Sequence, residues 1–341
     1  MTSRSSLVVD SAKFRPTAVP EATIASNKYL SGVMANPINW WDVDVVKYRD
    51  MLLKGETVFP VPVLLPEATD FSIPSREAGR SIPCRVIRPA GNTPPAGIFM
   101  HMHFGGWVLG SEKIQDPRLK NYVDATNLIV ISIGYRLAPE NPYPASSHDC
   151  FDAAEWLIQN GVDEFGAPLK FLGGESVGGH LAMATAQHLL SHKDPKFSQF
   201  QLKGLVLHFG FFDVSWTPSM FNLKQDPPIF IDLLFMNKCR EATFPDPATN
   251  FKDPSISPLY FNFFALPPET KLPPSFFTCG TEDIFIDDTM FMSAKWQMAG
   301  GEAIVKIVPG APHGFFDMPE GMYPGTEEVR KEMYQFLTER L

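Results

Sequence analysis

One serine stands between two glycines at the end of an apolar run, in the order Gly174-Glu-Ser176-Val-Gly178. This G-x-S-x-G pattern is typical of a nucleophile elbow, in which a strand turns sharply into a helix and presents the serine hydroxyl. The tight turn leaves no room for side chains beside the serine, and the two glycines meet that requirement. We therefore expect Ser176 to be the nucleophile of an acyl-transfer reaction.

A serine hydroxyl is a weak nucleophile near neutral pH, so it needs a histidine to take its proton and a carboxylate to orient that histidine. His313 follows the last predicted strand, where a loop can bring the ring over the strand ends. Asp283 follows the preceding predicted strand and is our choice of acid. Its rivals in the same stretch are Glu282, Asp287 and Asp288.

Acyl transfer also needs hydrogen-bond donors directed at the oxyanion that develops on the carbonyl. Gly105 and Gly106 are adjacent glycines directly after another predicted strand, and their amides can approach such an oxygen closely. Val177 contributes the amide that follows the nucleophile. We expect these three amides to form an oxyanion hole, with an ordinary glycine turn as the alternative for the pair.

The elements that must position these residues alternate between β-rich runs and helical patterns from about residue 70 onward. This alternation predicts an α/β fold with a mostly parallel sheet and crossover helices. Helical spacing predicts helices over 150–158, 177–190, 287–298 and 327–341. The eight expected strands span 70–73, 82–88, 98–103, 128–134, 169–173, 202–208, 275–279 and 303–308.

Two segments interrupt the alternation, and both are too long to be structureless loops in a compact domain. We expect them to form a cap over the carboxyl edge of the sheet, with an additional packing layer unrelated to catalysis as the alternative. The resulting division is an N-terminal cap segment (1–68), a first part of the core (69–210), a cap insertion (211–274) and a second part of the core (275–341).

Composition excludes several other classes of protein. The chain has 341 residues and a net charge of −9, without the clustered Lys and Arg that nucleic-acid binding requires. Its apolar runs are too short to span a membrane or to form the core of a secretory signal. The four cysteines are scattered, which favours reduced thiols and a cytoplasmic location. A homodimer is left open.

The motifs together resemble the hormone-sensitive-lipase-like family of serine esterases. The resemblance spans about residues 70–341 and rests on five motifs in the family's order. It implies an α/β-hydrolase fold with eight strands, flanking helices and a cap built from the N-terminus and the insertion after strand six. The motifs are His103-Phe-Gly-Gly106, Tyr135-Arg-Leu-Ala-Pro-Glu140, Gly174-Glu-Ser-Val-Gly-Gly179, Asp283-Ile-Phe-Ile-Asp287 and His313-Gly-Phe315.

The chain departs from the family pattern beside the proposed active site. Phe104 replaces a glycine, and its ring is expected to narrow the entrance for the acyl group. Glu175 replaces aspartate, and we expect it to support the elbow through buried hydrogen bonds. Val177 replaces alanine and keeps its amide, while Ile284 and Ile286 replace other residues without affecting the proposed acid.

A bulky apolar substrate pocket is a hypothesis motivated by the aromatic residues near the motifs. Aromatic core packing explains the same residues equally well. The candidates for substrate contact are Phe104, Trp107, Phe211, Phe212 and Trp216.

Other polar residues are given structural roles. His188 and His192 have the spacing of two metal ligands on a helix, but the sequence shows no third ligand, so we expect solvated histidines and no metal. His101 is expected to pack or to support the oxyanion loop. Arg136 and Glu140 are expected to pair with each other after strand four.

The leading hypothesis is a serine carboxylesterase that hydrolyses small to medium, apolar esters through an acyl-enzyme, without cofactor or metal. The same triad could instead act on a lactone or amide, or cyclise a specialised metabolite. A different class is a small-molecule-binding protein, because the gibberellin receptor of plants resembles this family but lacks the histidine. The presence of His313 argues against that class.

Overall fold

The computed structural model describes residues 8–223 and 227–341. One sheet of eight strands forms the centre of the molecule, as expected for an α/β-hydrolase, with the strands in the order β1-β2-β4-β3-β5-β6-β7-β8. The strands are β1 (Thr69–Pro74), β2 (Ser81–Ile87), β3 (Ile98–Met102), β4 (Ile129–Ile133), β5 (Leu169–Glu175), β6 (Gly204–His208), β7 (Ser275–Gly280) and β8 (Ala303–Val308).

The sheet is mostly parallel because β2 pairs antiparallel with both β1 and β4, while all other neighbours are parallel. Chain order reverses at β3, which has β4 on one side and β5 on the other. Ligand sites of open α/β sheets form at such a reversal, beyond the carboxyl ends of the strands. Met102 at the end of β3 pairs with Gly174 in β5, so the loops that follow these two strands are neighbours.

The described residues form ten α-helices, more than the four expected. The helices are α1 (Glu21–Val33), α2 (Val45–Lys54), α3 (Asp116–Thr126), α4 (Ala145–Phe165), α5 (Val177–Leu190), α6 (Pro195–Ser198), α7 (Pro218–Asn222), α8 (Leu233–Thr243), α9 (Ile286–Met298) and α10 (Thr326–Thr338).

The strands bury side chains on both faces because helices cover the sheet from both sides. Met100 and Leu172 belong to the apolar cluster that contains residues of α4, α5 and α9. Phe99 and Phe171, one residue earlier in each strand, belong to the cluster that contains residues of α3 and α10. This alternation follows from the two-residue period of a strand.

The segments before β1 and between β6 and β7 both contain helices and contact each other. The Ser31 hydroxyl in α1 donates to the carbonyl of Pro227 over 2.9 Å. The rings of Trp41 and Phe235 meet edge to face with centroids 6.1 Å apart. The division of the chain at residues 68, 210 and 274 remains a prediction.

Within 8–223 and 227–341, no helix combines the length and apolar character needed to cross a bilayer.

Candidate active site

Ser176 lies in a sharp turn between β5 and α5. Its φ of +56° is strained for a residue with a side chain. A Cβ at Gly174 would lie 2.2 Å from the carbonyl oxygen of Met102, and one at Gly178 would lie 1.9 Å from the same oxygen. The turn can therefore form only with glycine at both positions, which explains the spacing of the motif.

His313 and Asp283 come together beyond β8 and β7. The imidazole Nδ1 lies 3.0 Å from Oδ2 and 3.2 Å from Oδ1 of Asp283. Asp283 is fully buried, and its Oδ1 also accepts the amide of Phe285. These contacts fix the Nδ1–H tautomer, which leaves Nε2 free to accept a proton.

Two of the rival carboxylates face the insertion. Asp287 accepts the amide of Ser219 over 2.8 Å. Asp288 accepts the amides of Phe212 and Asp213 over 2.6 and 2.9 Å. Both therefore attach the segment after β6 to the start of α9, whereas Asp283 is in contact with His313.

The end of β6 contacts both the turn that carries Ser176 and the ring of His313. The Ser176 amide donates to the carbonyl of His208 over 2.9 Å. The ring of the next residue, Phe209, meets the imidazole of His313 at 4.9 Å between centroids. Within the described residues the Ser176 hydroxyl makes no hydrogen bond to His313, a bond that is often long before substrate binds. Proton transfer requires the hydroxyl oxygen and Nε2 to come within hydrogen-bond distance of each other.

The loop of residues 103–109 after β3 is here called the oxyanion loop, after the role expected for it. It turns at two glycines with positive φ, +128° at Gly105 and +61° at Gly106. The Gly105 carbonyl accepts the amides of Val108 and Leu109 over 3.1 and 2.8 Å. In the described part of the chain, the amides of Gly105, Gly106 and Val177 donate no hydrogen bond. Three unengaged donors are what an oxyanion requires.

His103 and Tyr135 stabilise the beginning of the oxyanion loop. Its ring stacks on Tyr135 at 4.2 Å, and its Nδ1 donates to the carbonyl of Phe104 over 2.7 Å. Burial lowers the pKa of His103 to about 3, so the ring is neutral at physiological pH. The Tyr135 hydroxyl donates to the His103 carbonyl over 2.8 Å, which fixes the beginning of the loop.

Glu175, beside the proposed nucleophile, is the centre of a buried polar network. Its Oε2 lies 2.8 Å from His101 Nε2 and accepts Gln115 Nε2 over 2.9 Å. Its Oε1 lies 3.0 Å from the guanidinium of Arg118, which also pairs with Asp317. Burial acts to raise the pKa of Glu175, but the charge of Arg118 and the contact with His101 outweigh it, and the net effect lowers the pKa. The carboxylate is therefore ionised.

The network shows what His101 contacts, and it contains two further residues, Gln115 and Arg118, that were not expected near Glu175. His101 supports Glu175 rather than the oxyanion loop directly, and its Nδ1 lies 3.0 Å from the Ser132 hydroxyl. Sequence reasoning did not identify Gln115 or Arg118, which lie at the start of a helix that was not expected. Neither residue belongs to a recognised motif. The only signal in the sequence is Glu175, because a buried carboxylate needs a cation or hydrogen-bond donors as partners.

The aromatic substrate candidates lie mostly in the core. Phe211 and Phe212 are 0% exposed, so they border no water-accessible space. Trp107 is buried against Phe211, with ring centroids 5.0 Å apart, and Trp216 donates its indole N–H to Asn237. Phe104 is half-buried. Core packing, the alternative explanation, accounts for the four residues other than Phe104.

Glu155 is the nearest acidic neighbour of His188 and His192, the two histidines that have the spacing of metal ligands. His188 Nε2 lies 2.6 Å from Glu155 Oε1, and His192 Nε2 lies 3.7 Å from the same oxygen. The Nδ1 of His192 accepts the amide of Asp194 over 3.0 Å, which leaves the proton on Nε2. A metal at Nε2 would need the opposite tautomer, so this arrangement is a hydrogen-bonded link between α4 and α5.

The expected pair between Arg136 and Glu140 is wrong. Arg136 pairs with Glu77 over 2.8 Å and with Asp149 over 3.0 Å. Glu140 pairs instead with Arg49 of α2 over 2.6 Å. The chain turns between positions 136 and 140, so each residue meets a partner from a different, distant segment.

Comparison with known proteins agrees with this fold. The family model of the alpha/beta hydrolase fold matches residues 99–317, which include Ser176, Asp283 and His313. The chain therefore belongs to the α/β-hydrolase family, and the predicted resemblance to its hormone-sensitive-lipase-like members is confirmed.

Individual relatives cover most of the chain. An AB hydrolase superfamily protein of Schizosaccharomyces pombe is 28% identical over 318 residues, covering 87% of this chain and 86% of its own. An ethyl acetate hydrolase of Pseudomonas putida is 27% identical over 255 residues, covering 73% and 76%. The structure of an esterase from Pyrobaculum calidifontis aligns with a TM-score of 0.77 at 22% identity, covering 94% of this chain and 98% of that one. This last likeness concerns the fold.

Proposed function

We propose that the protein is a serine carboxylesterase that hydrolyses small to medium, apolar esters through an acyl-enzyme intermediate. Two observations carry the proposal: buried Asp283 and His313 lie 3.0 Å apart, and Ser176 is held at φ +56° in a glycine-flanked turn. The name of the Pseudomonas putida relative, ethyl acetate hydrolase, supports a short ester as substrate.

In the proposed reaction, the Ser176 oxygen attacks the ester carbonyl while His313 Nε2 takes the hydroxyl proton. Asp283 stabilises the imidazolium and keeps the ring oriented through Nδ1. The amides of Gly105, Gly106 and Val177 are proposed to bind the oxyanion. The imidazolium then protonates the leaving alcohol, and a water activated by the same histidine releases the acid. Apart from the ester and the water, the proposed reaction uses only side chains and amides of the chain.

The histidine also bears on the second class of function. A binding protein would not need a base beside Ser176, and the contact between His313 and Asp283 therefore supports catalysis over ligand binding alone. Among residues 8–223 and 227–341, no contact favours a lactone or an amide over an ester as substrate.

Cellular location, assembly and the cap are proposals of the same kind. Four free cysteines, all buried, support a cytoplasmic location. Homodimer formation is to be tested by sedimentation at several protein concentrations. The contacts of Ser31 and Trp41 with the insertion support a cap built from 1–68 and 211–274.

The test is labelling with a fluorophosphonate together with turnover of p-nitrophenyl esters from acetyl to hexanoyl. Ser176→Ala should lose labelling and lower turnover by about a millionfold, as expected for a triad serine. Ser191→Ala, which removes an exposed hydroxyl at the far end of α5, is the matched control and should retain both. Absence of labelling in the unmodified protein would refute the proposal and favour a binding protein.

A further inference from the structure

The guanidinium of Arg49, in α2, lies between two loops of the hydrolase core. Its Nε donates to the carbonyl of Val108 in the oxyanion loop over 2.8 Å. Its NH2 group donates to the carbonyl of Ala138, after β4, over 2.7 Å. The two carboxylate oxygens of Glu140 accept from the same guanidinium over 2.6 and 3.0 Å. One side chain of the N-terminal segment thus contacts two loops that are distant from it in sequence.

The two carbonyl contacts are more important than the ion pair. The side chain of Glu140 is 40% exposed, and ion pairs at such positions stabilise a protein little. Val108 and Ala138 are 0% and 1% exposed, and a carbonyl buried without a donor is costly. Only the planar fork of arginine can donate to both carbonyls and to a carboxylate at the same time.

The contact to Val108 acts on the proposed oxyanion hole. The amides of Val108 and Leu109 both donate to the Gly105 carbonyl, so the position of Val108 determines how the loop closes. The Ala138 amide donates to the carbonyl of Trp107 over 2.9 Å, which links the second loop to the same turn. Arg49 therefore holds the peptides that directly follow the two glycines.

Apolar packing brings Arg49 to this position. Tyr48, its neighbour in α2, forms one buried cluster with Trp40, Val108, Leu109 and Cys239. Cys239 belongs to α8, and its Sγ would lie 2.8 Å from a Cβ at position 106. The oxyanion loop is thus enclosed by both segments outside the core, and Arg49 supplies the polar part of that enclosure.

We infer that Arg49 is a positioning residue that fixes the oxyanion loop in the geometry required for catalysis. This inference rests on the proposed esterase function. It gives the N-terminal segment a role in the chemical step, in addition to any role in covering the site. Arg49 touches no reacting atom, so its loss should affect stabilisation of the transition state more than binding of the substrate.

The experiment compares Arg49→Lys and Arg49→Ala with Glu140→Gln and with Lys54→Ala, an exposed cation of the same helix. Turnover is expressed per site labelled by fluorophosphonate, so that unfolded molecules are not counted. Arg49→Lys should lower kcat by about tenfold and Arg49→Ala by up to about a hundredfold, with KM changed by less than about threefold. These losses lie at or below the lower limit for a lost oxyanion donor, about a hundredfold, because Arg49 acts through the loop and does not itself bind the oxyanion. Glu140→Gln keeps both carbonyl contacts and should lower kcat by about twofold at most.

Two further readouts distinguish positioning from simple destabilisation. Guanidinium added to Arg49→Ala at concentrations below those that unfold it should recover part of kcat and should not affect Lys54→Ala. Hydrogen exchange of a peptide spanning residues 103–110 should accelerate in both Arg49 variants and stay unchanged in Lys54→Ala.

The inference is wrong if the Arg49 variants keep the kcat of the unmodified protein per labelled site and exchange normally over residues 103–110. If the unmodified protein neither labels nor hydrolyses esters, the proposed function fails. The exchange measurement then still decides whether Arg49 holds the loop: faster exchange supports that role, and unchanged exchange overturns it.

Discussion

Replacing Glu175 by glutamine tests how strongly the buried network supports the turn that carries Ser176. The substitution keeps the shape of the side chain but removes the charge that lies 3.0 Å from Arg118 and 2.8 Å from His101. Removing one partner of a buried ion pair costs roughly 3–5 kcal/mol in free energy of unfolding. Because Arg118 keeps Asp317 as a second partner, we expect a loss in free energy of unfolding at the lower end of this range, about 3 kcal/mol.

Calorimetry and urea denaturation provide the measurement. For a chain of 341 residues, about 3 kcal/mol corresponds to a decrease in Tm of roughly 4 °C. Glu175→Asp is the matched control, because it keeps the charge and restores the residue found in the family pattern. Its loss should be smaller, about 1–2 kcal/mol, since a shorter side chain leaves a gap but no uncompensated cation. A decrease below 2 °C for Glu175→Gln would show that the carboxylate's attraction to its partners only balances its desolvation, contrary to the reasoning here.

Three further substitutions test the surroundings of the site. Gly106→Ala would place a Cβ 2.8 Å from the Sγ of Cys239, at a residue with a φ of +61°. In ester assays kcat should therefore fall by about tenfold or more, and the added substitution Cys239→Ala should recover part of the lost kcat. Burial raises the pKa of Asp288 to about 7, so the folded protein keeps a proton that the unfolded chain releases above about pH 4. Stability should therefore decline between about pH 4 and 7, and Asp288→Asn should flatten that decline in urea titrations at several pH values; an unchanged slope would contradict the assignment. Phe104→Ala should raise kcat/KM for hexanoyl relative to acetyl esters, and an unaltered chain-length profile would show that this ring does not narrow the entrance.

The sheet could be predicted because strands covered on both faces appear as continuous apolar runs. The strand expected over 202–208 was found as Gly204–His208, and the one expected over 303–308 as Ala303–Val308. Ser176, Asp283 and His313 could be selected because strand ends in such a sheet share one edge, and the contact between the last two agrees with that choice. Their catalytic roles remain to be tested.

Helix α3 was not predicted because its apolar residues are few and are interrupted by charged ones. Leu119, Tyr122 and Val123 are buried, but Lys120 and Asp124 lie between and beside them and pair on the exposed surface. Since α3 was missed, so was the support that Gln115 and Arg118 give to Glu175. A charge pair that joins distant segments has no periodic signal in a sequence.

Helices α1 and α2 were missed for a related reason. Thr23 is the only buried residue within α1, and Tyr48 the only one within α2. Neither helix therefore buries the wide apolar stripe that is typical of a helix packed on the core. Helix α2 is attached by the packing of Tyr48 and by the hydrogen bonds of Arg49, and both depend on the completed fold.

The attachment of α1 has a consequence for how the protein is made. Asn27 donates its side-chain amide to the carbonyl of Gly310 and accepts the hydroxyl of Tyr323, residues that the ribosome adds almost three hundred positions later. During synthesis α1 is made before Gly310 and Tyr323, so it cannot form these contacts until both residues have been added. Helix α1 is therefore among the last elements to complete its native contacts, and a nascent chain that ends before Tyr323 should lack them.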